Sequence, residues 1–141
     1  MENPNKYVRL AFFNAINDTY DCYDTQVSGG YNPTQYVIIS TQNKEIDKAT
    51  KCGNRWISYT LLDLVCIYNG AGNVGSRLAN DNMENDILGL IENISINGFR
   101  IVNTEYEFPP NLQTSTATQT VYRNFIRVIY TLEEIPTEPS I

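Results

Sequence analysis

With 141 residues the chain is long enough for one domain with a real core, and its 42% hydrophobic, 18% charged composition is that of a globular fold. No apolar run reaches the length of a membrane-spanning helix, and the first six residues lack the charged-then-apolar order of a signal peptide, so the chain is expected to stay in the cytosol. The net charge of −6 argues against a groove that grips nucleic acid by counterion release, and the absence of histidine removes the usual general base and imidazole ligand.

Asn3 before Pro4 supplies an N-cap and a proline at the first helical position. Val8, Ala11, Phe12, Ala15 and Ile16 follow at helical spacing, which predicts an amphipathic helix over residues 4–17. Residues 19–24 alternate weakly and read as a short strand, and Ser28-Gly29-Gly30 with Asn32-Pro33 is the chemistry of a loop. Residues 36–40 are a β-branched run expected to form a buried strand. Residues 42–54 read as a polar connection carrying Lys44, Lys48 and Lys51. Residues 55–68 then form a long strand pattern with apolar groups on both faces, as at the centre of a sheet: Trp56, Leu62, Leu64 and Cys66 against Ile57, Leu61, Val65 and Ile67.

A second helix is expected over 74–94, with Met83, Ile87, Leu90, Ile91 and Ile94 on one stripe opposite Asn82, Glu84, Asn85 and Asp86. Asn97-Gly98 stops it. Residues 99–108 read as a strand closed by Pro109-Pro110, and the Thr-rich stretch 113–120 leads into a last strand over 121–132. The tail 133–141 is acidic and punctuated by proline. The order αβββαββ predicts one α+β domain over 1–132, a mainly antiparallel sheet with two helices packed on one face. Ile38, Leu62, Leu64, Ile87, Ile91, Ile126 and Val128 are its expected core.

Four constellations bear on chemistry. Gly70-Ala71-Gly72-Asn73-Val74-Gly75 has the spacing of a dinucleotide-binding fingerprint, between a strand and a helix. It follows a complete helix and about three strands, however, and too few βαβ units come after it. The acid expected about 20 residues on falls at Glu92, within the helix. Glycines shaping a turn explain it without a ligand. Asp18, Asp21 and Asp24 sit three apart around a strand start, where extended residues do not converge. Cys22, Cys52 and Cys66 are scattered, with no C-x-x-C and no histidine to complete a zinc site; Cys66 reads as a core residue. The Thr-rich segment is uncharged and β-favourable, so it is either a plain loop or an unguarded edge that a neighbouring subunit covers. Both readings stay open.

The order of these features resembles the tail terminator and head–tail joining proteins of tailed bacteriophages. An initial helix precedes Tyr20-Asp21-Cys22-Tyr23-Asp24, similar to that family's V-Y-D strand, and Pro33-Thr34-Gln35-Tyr36-Val37-Ile38-Ile39, similar to its P-Y-V-V-I with Thr34-Gln35 intervening. A Thr/Lys loop, a long strand ending in Tyr68-Asn69, a helix, and two strands follow, the last like Y-R-x-x-I-R-V. The strand end Ile67-Tyr68-Asn69 departs from the family's W-S-R, so a neck ring fits as well as a tail terminator.

The resemblance implies a virion protein forming a homo-oligomeric ring of six or twelve copies on the DNA exit path. Such a ring contacts portal or neck and tail proteins, and DNA passes through its lumen without sequence-specific binding. It implies no catalysis, cofactor, metal or membrane. The expected subunit contacts are Thr114, Thr116, Thr118, Thr120, Ile135, Pro136 and Ile141, and the loop bearing Lys44, Lys48 and Lys51 is the candidate lumen-facing element. A small nucleotide-binding or enzymatic domain using the Gly70–Gly75 turn is the alternative.

Overall fold

The computed structural model describes residues 2–24, 34–50, 53–70 and 75–135. The first helix, α1 (Pro4–Ile16), begins as its sequence dictates: the Asn3 side chain accepts from the Asn5 amide at 3.1 Å and Pro4 occupies the first turn. Val8, Phe12 and Ile16, four residues apart, bury one stripe completely.

Six strands form one mixed sheet, in the order β1 (Asp21–Asp24), β2 (Gln35–Thr50), β3 (Gly53–Asn69), β6 (Gln119–Glu134) and β4 (Phe99–Glu107), with β5 (Leu112–Ser115) also paired to β6. β1 runs parallel to β2 and every other pairing is antiparallel. The element order is therefore αβββαβββ, one strand more than the pattern predicts. Short and exposed throughout, with Leu112 its one apolar residue, β5 carries no periodicity that would announce it.

The largest correction falls on residues 42–54. Instead of a polar connection, 42–50 continue β2 and 53–54 open β3, with Gln42 opposite Thr60 and Thr50 opposite Gly53. Nothing in Gln42-Asn43-Lys44-Glu45 alternates between apolar and polar. Pairing with β3 imposes the extended state there, and such context outweighs local preference.

β6 is the organising strand. It pairs with β3 along its whole length on one side and with β4 and β5 on the other. Its side chains alternate strictly: Tyr122, Asn124, Ile126, Val128, Tyr130 and Leu132 point to the helices and are buried, while the residues between them are half-buried. β6 runs on through Glu134, two residues past the expected end of the domain.

Helix α2 (Leu78–Ile91) is shorter at both ends than the expected 74–94. Its Met83, Ile87 and Ile91 join Val8, Phe12 and Ile16 in a single core over Val37, Ile39, Leu62, Leu64, Ile126 and Val128, so both helices cover the same face of the sheet. Six of the seven expected core residues lie there. Ile38 does not: it pairs in register with Asp63 on the face away from the helices and is half-buried, while its neighbours Val37 and Ile39 take the core positions.

Candidate functional site

The glycine turn follows β3. Gly70 has φ +135° and its amide donates to the Thr118 carbonyl at 2.8 Å, tying the turn to the β5–β6 connection. Gly75 has φ +90°, and a Cβ there would stand 2.2 Å from Cδ2 of Tyr68. Backbone shape thus demands both glycines, and close approach to the Tyr68 ring demands Gly75 again. Residues 71–74, with Gly72, lie outside the described residues. β3 and β4 do run in the same direction on either side of α2, but antiparallel β6 lies between them. Glu92 caps the end of α2 and does not sit at a strand end. Gly75→Ala should lower stability by about 1–3 kcal/mol, the scale of a strained left-handed residue, before any clash with Tyr68 is counted. Unchanged thermal unfolding of this variant would show that the turn tolerates a side chain.

The acids do not converge. Asp24 pairs with Arg9, whose guanidinium also donates to the carbonyls of Ile39 and Ser40, both at 2.7 Å, and to Gln42 Oε1 at 2.9 Å. No group of three or more metal-ligating side chains forms among the described residues. Burial pushes the Cys22 thiol up to about 11, against the pull of Arg9, and raises Cys66 as well. These thiols stay protonated at neutral pH and belong to the core, not to a nucleophilic site. Cys52 lies outside the described residues.

The helix-free face carries four of the five ion pairs among the described residues. Arg55 and Arg100 both meet Glu133, at 3.2 and 2.9 Å, Arg123 meets Asp63, and Arg127 stands 3.9 Å from Glu107. Hydrogen bonds from Arg55 and Arg100 hold the Glu133 carboxyl below the usual range. Burial raises Asp63, with Arg123 pulling the other way. Each arginine here faces a carboxylate, so among the described residues these arginines offer no free cationic strip to a phosphate backbone. Lys44 and Lys48 lie within β2 and not in the expected loop, and Lys51 is outside the described residues.

The Thr-rich segment becomes the end of a hairpin. Thr114 pairs in register with Val121, and Ser115 with Thr120. Thr116 Oγ1 accepts from the amides of Thr118 and Gln119 at 3.3 and 3.1 Å, and the Thr116 amide donates to the Gln119 carbonyl at 2.8 Å. One edge of the segment is closed by its own chain. Thr114, Thr116 and Thr118 are exposed, but Thr120 is wholly buried and off the surface. Beyond β6, the Ile135 amide donates to the Gly98 carbonyl at 2.9 Å, and its half-exposed side chain borders a shallow recess lined by Ile94, Ile96, Phe99 and Ile101. Pro136 and Ile141 lie outside the described residues.

The pattern of residues could not reveal the sheet's bare edges. β4 is exposed from Val102 to Glu107, and β2 beyond Ser40 has no partner but β3 among the described residues. Exposed Ile46, Val102 and Tyr106 mark these edges.

No family model and no curated protein matches the sequence. In fold, the chain is similar to a chain of the virion of a native gene transfer agent particle, with a TM-score of 0.63 over 93% of this chain and 99% of that one. Their sequences are 10% identical, so the likeness is one of fold.

Proposed function

We propose that the chain is a structural protein of a phage-like virion, a subunit of a homo-oligomeric ring at the head–tail connection. It serves there as tail terminator or neck ring, joining head or portal to tail around the DNA exit channel, without catalysis or cofactor. The observation that carries this reading is the likeness in fold, nearly end to end in both chains, to a component of a gene transfer agent virion. The order of motifs from Tyr20 to Val128 supports the same placement. The arginines tied to carboxylates on the helix-free face and the net charge of −6 suit a passage that DNA must not stick to. Thr114, Thr116 and Thr118 at the hairpin end, with Ile135, Pro136 and Ile141 in the tail, are proposed to touch neighbouring subunits, and Thr120 supports that hairpin from within. Lys44, Lys48 and Lys51 are proposed to face the lumen.

Native mass spectrometry of the concentrated chain, with electron microscopy of the same sample, should give a closed ring of six or twelve copies. Calorimetry with dinucleotides on that sample should give no saturable heat. A chain monomeric up to about millimolar concentration would overturn the ring. Micromolar dinucleotide binding abolished by Gly72→Val would establish the nucleotide-binding alternative instead.

A further inference from the structure

Four strands cross the sheet in register at one end. One row runs Gln42–Thr60–Val128–Tyr106 and another Lys48–Arg55–Glu133–Arg100. Between these rows the strip is bounded by β2 on one side and β4 on the other, and neither has an outer partner among the described residues. β1 pairs with β2 as far as Asp24 opposite Ile39, where Arg9 covers the carbonyls of Ile39 and Ser40, and beyond that cap no described residue pairs with the outer edge of β2. The two bare edges match. Within the strip each carries one register irregularity, at Ile46/Lys48 on β2 and at Ile101/Asn103 on β4, so each lays one extra residue against its inner neighbour there; β2 has a second between Ile39 and Gln42, just before the strip begins.

We propose that β4 of one copy adds to β2 of the next, so that the strips of successive subunits join edge to edge; this rests on the ring reading above. Strand direction supports it. β2, β3, β6 and β4 alternate in direction, so a neighbour in the same orientation brings its β2 antiparallel to β4. Row-matched pairing sets Ile46 beside Val102, 47% and 42% exposed, which gives each apolar group a partner at mid-edge. Pairing β2 with itself about Ile46 would set Glu45 opposite Asp47 twice over, whereas in the head-to-tail register Glu45 faces the uncharged Asn103 and the one like-charged pair is Arg100 beside Lys48 at the end of the strip. Head-to-tail contact is also the kind that closes rings.

Two measurements test this. In the unmodified chain, hydrogen exchange of the amides of 42–48 and 100–106 should slow on going from monomer to oligomer. In a Cys52→Ser background, Glu45→Cys with Asn103→Cys should oxidise into a covalent ladder of subunits, and either substitution alone should not cross-link. The two positions lie on opposite edges of one chain, roughly 14 Å apart across three strand spacings, beyond the reach of an internal disulfide. Self-cross-linking of Glu45→Cys alone overturns the head-to-tail pairing. An oligomer in which either segment exchanges as fast as in the monomer overturns the edge contact and leaves the ring standing. A parent chain that never assembles overturns both.

Discussion

Phe12→Ala should cost about 3–5 kcal/mol of folding stability, the range for removing a fully buried aromatic ring and leaving its cavity. Phe12 is the middle residue of the buried α1 stripe, has no exposed surface, and stacks on Tyr130 of the central strand at 5.8 Å and 20° between planes. Both partners are fixed by other contacts, α1 by Val8 and Ile16 and Tyr130 by the β3 and β4 ladders, so the space cannot readily close. Chemical denaturation should show the midpoint falling with little change in slope. A midpoint within experimental error of the parent would mean that α1 does not pack where it is drawn.

Asn80→Asp should be of similar size at pH 7, about 3 kcal/mol or more, because it strands a charge in the core. Asn80 is wholly buried on α2, and its amide nitrogen donates to the carbonyls of Leu64 and Tyr122 at 3.3 and 3.1 Å, clasping β3 and β6 together. Aspartate would turn an oxygen toward those carbonyls. Burial would raise its folded-state pKa above the unfolded value near 3.9. The defect is therefore smallest below about pH 4 and grows as pH rises toward the folded value, by up to about 1.4 kcal/mol per unit. Denaturation at pH 4 and pH 7.5 decides it. A deficit equal at both would show that the substituted side chain has reached water.

The residues reveal what packs and conceal what pairs. Both helices were legible from stripes four residues apart, and β3 and β6 from apolar runs, because burial on the helix side leaves a period in the sequence. Leu62, Leu64, Ile87, Ile91, Ile126 and Val128 follow directly. Ile38 is the exception, because three apolar residues in a row, Val37-Ile38-Ile39, do not say which of them faces the helices until the register with β3 is known. Residues 42–50 and β5 are extended only through their ladders, and polar side chains such as Lys44 and Gln113 record no such debt to a neighbour. The parallel run of β1 beside β2 was likewise silent.

The same limit holds for the candidate contacts. The Thr-rich stretch stands out for what it lacks, charge and bulk, and neither lack says which threonine points inward, as Thr120 does. A bare edge is a fact of topology, set by which strand happens to be last in the sheet, and it has no motif.

The placement of β6 has a consequence for how the protein comes to exist. The strand that lies between β3 and β4 is made after every other element of the described residues. While the ribosome is still at work, β4 has no sheet partner among the described residues, and β3 exposes one flank from Asn69 back to Arg55. Translation at about 5–20 residues per second leaves these flanks open for seconds, time enough for wrong pairing between nascent chains. Closing the sheet then requires contacts between residues such as Leu62 and Ile126, far apart along the chain, which is the hallmark of high contact order and unhurried folding. The edge that a neighbour would use is therefore fixed in the sheet only once β6 has emerged. A subunit cannot be recruited half-made.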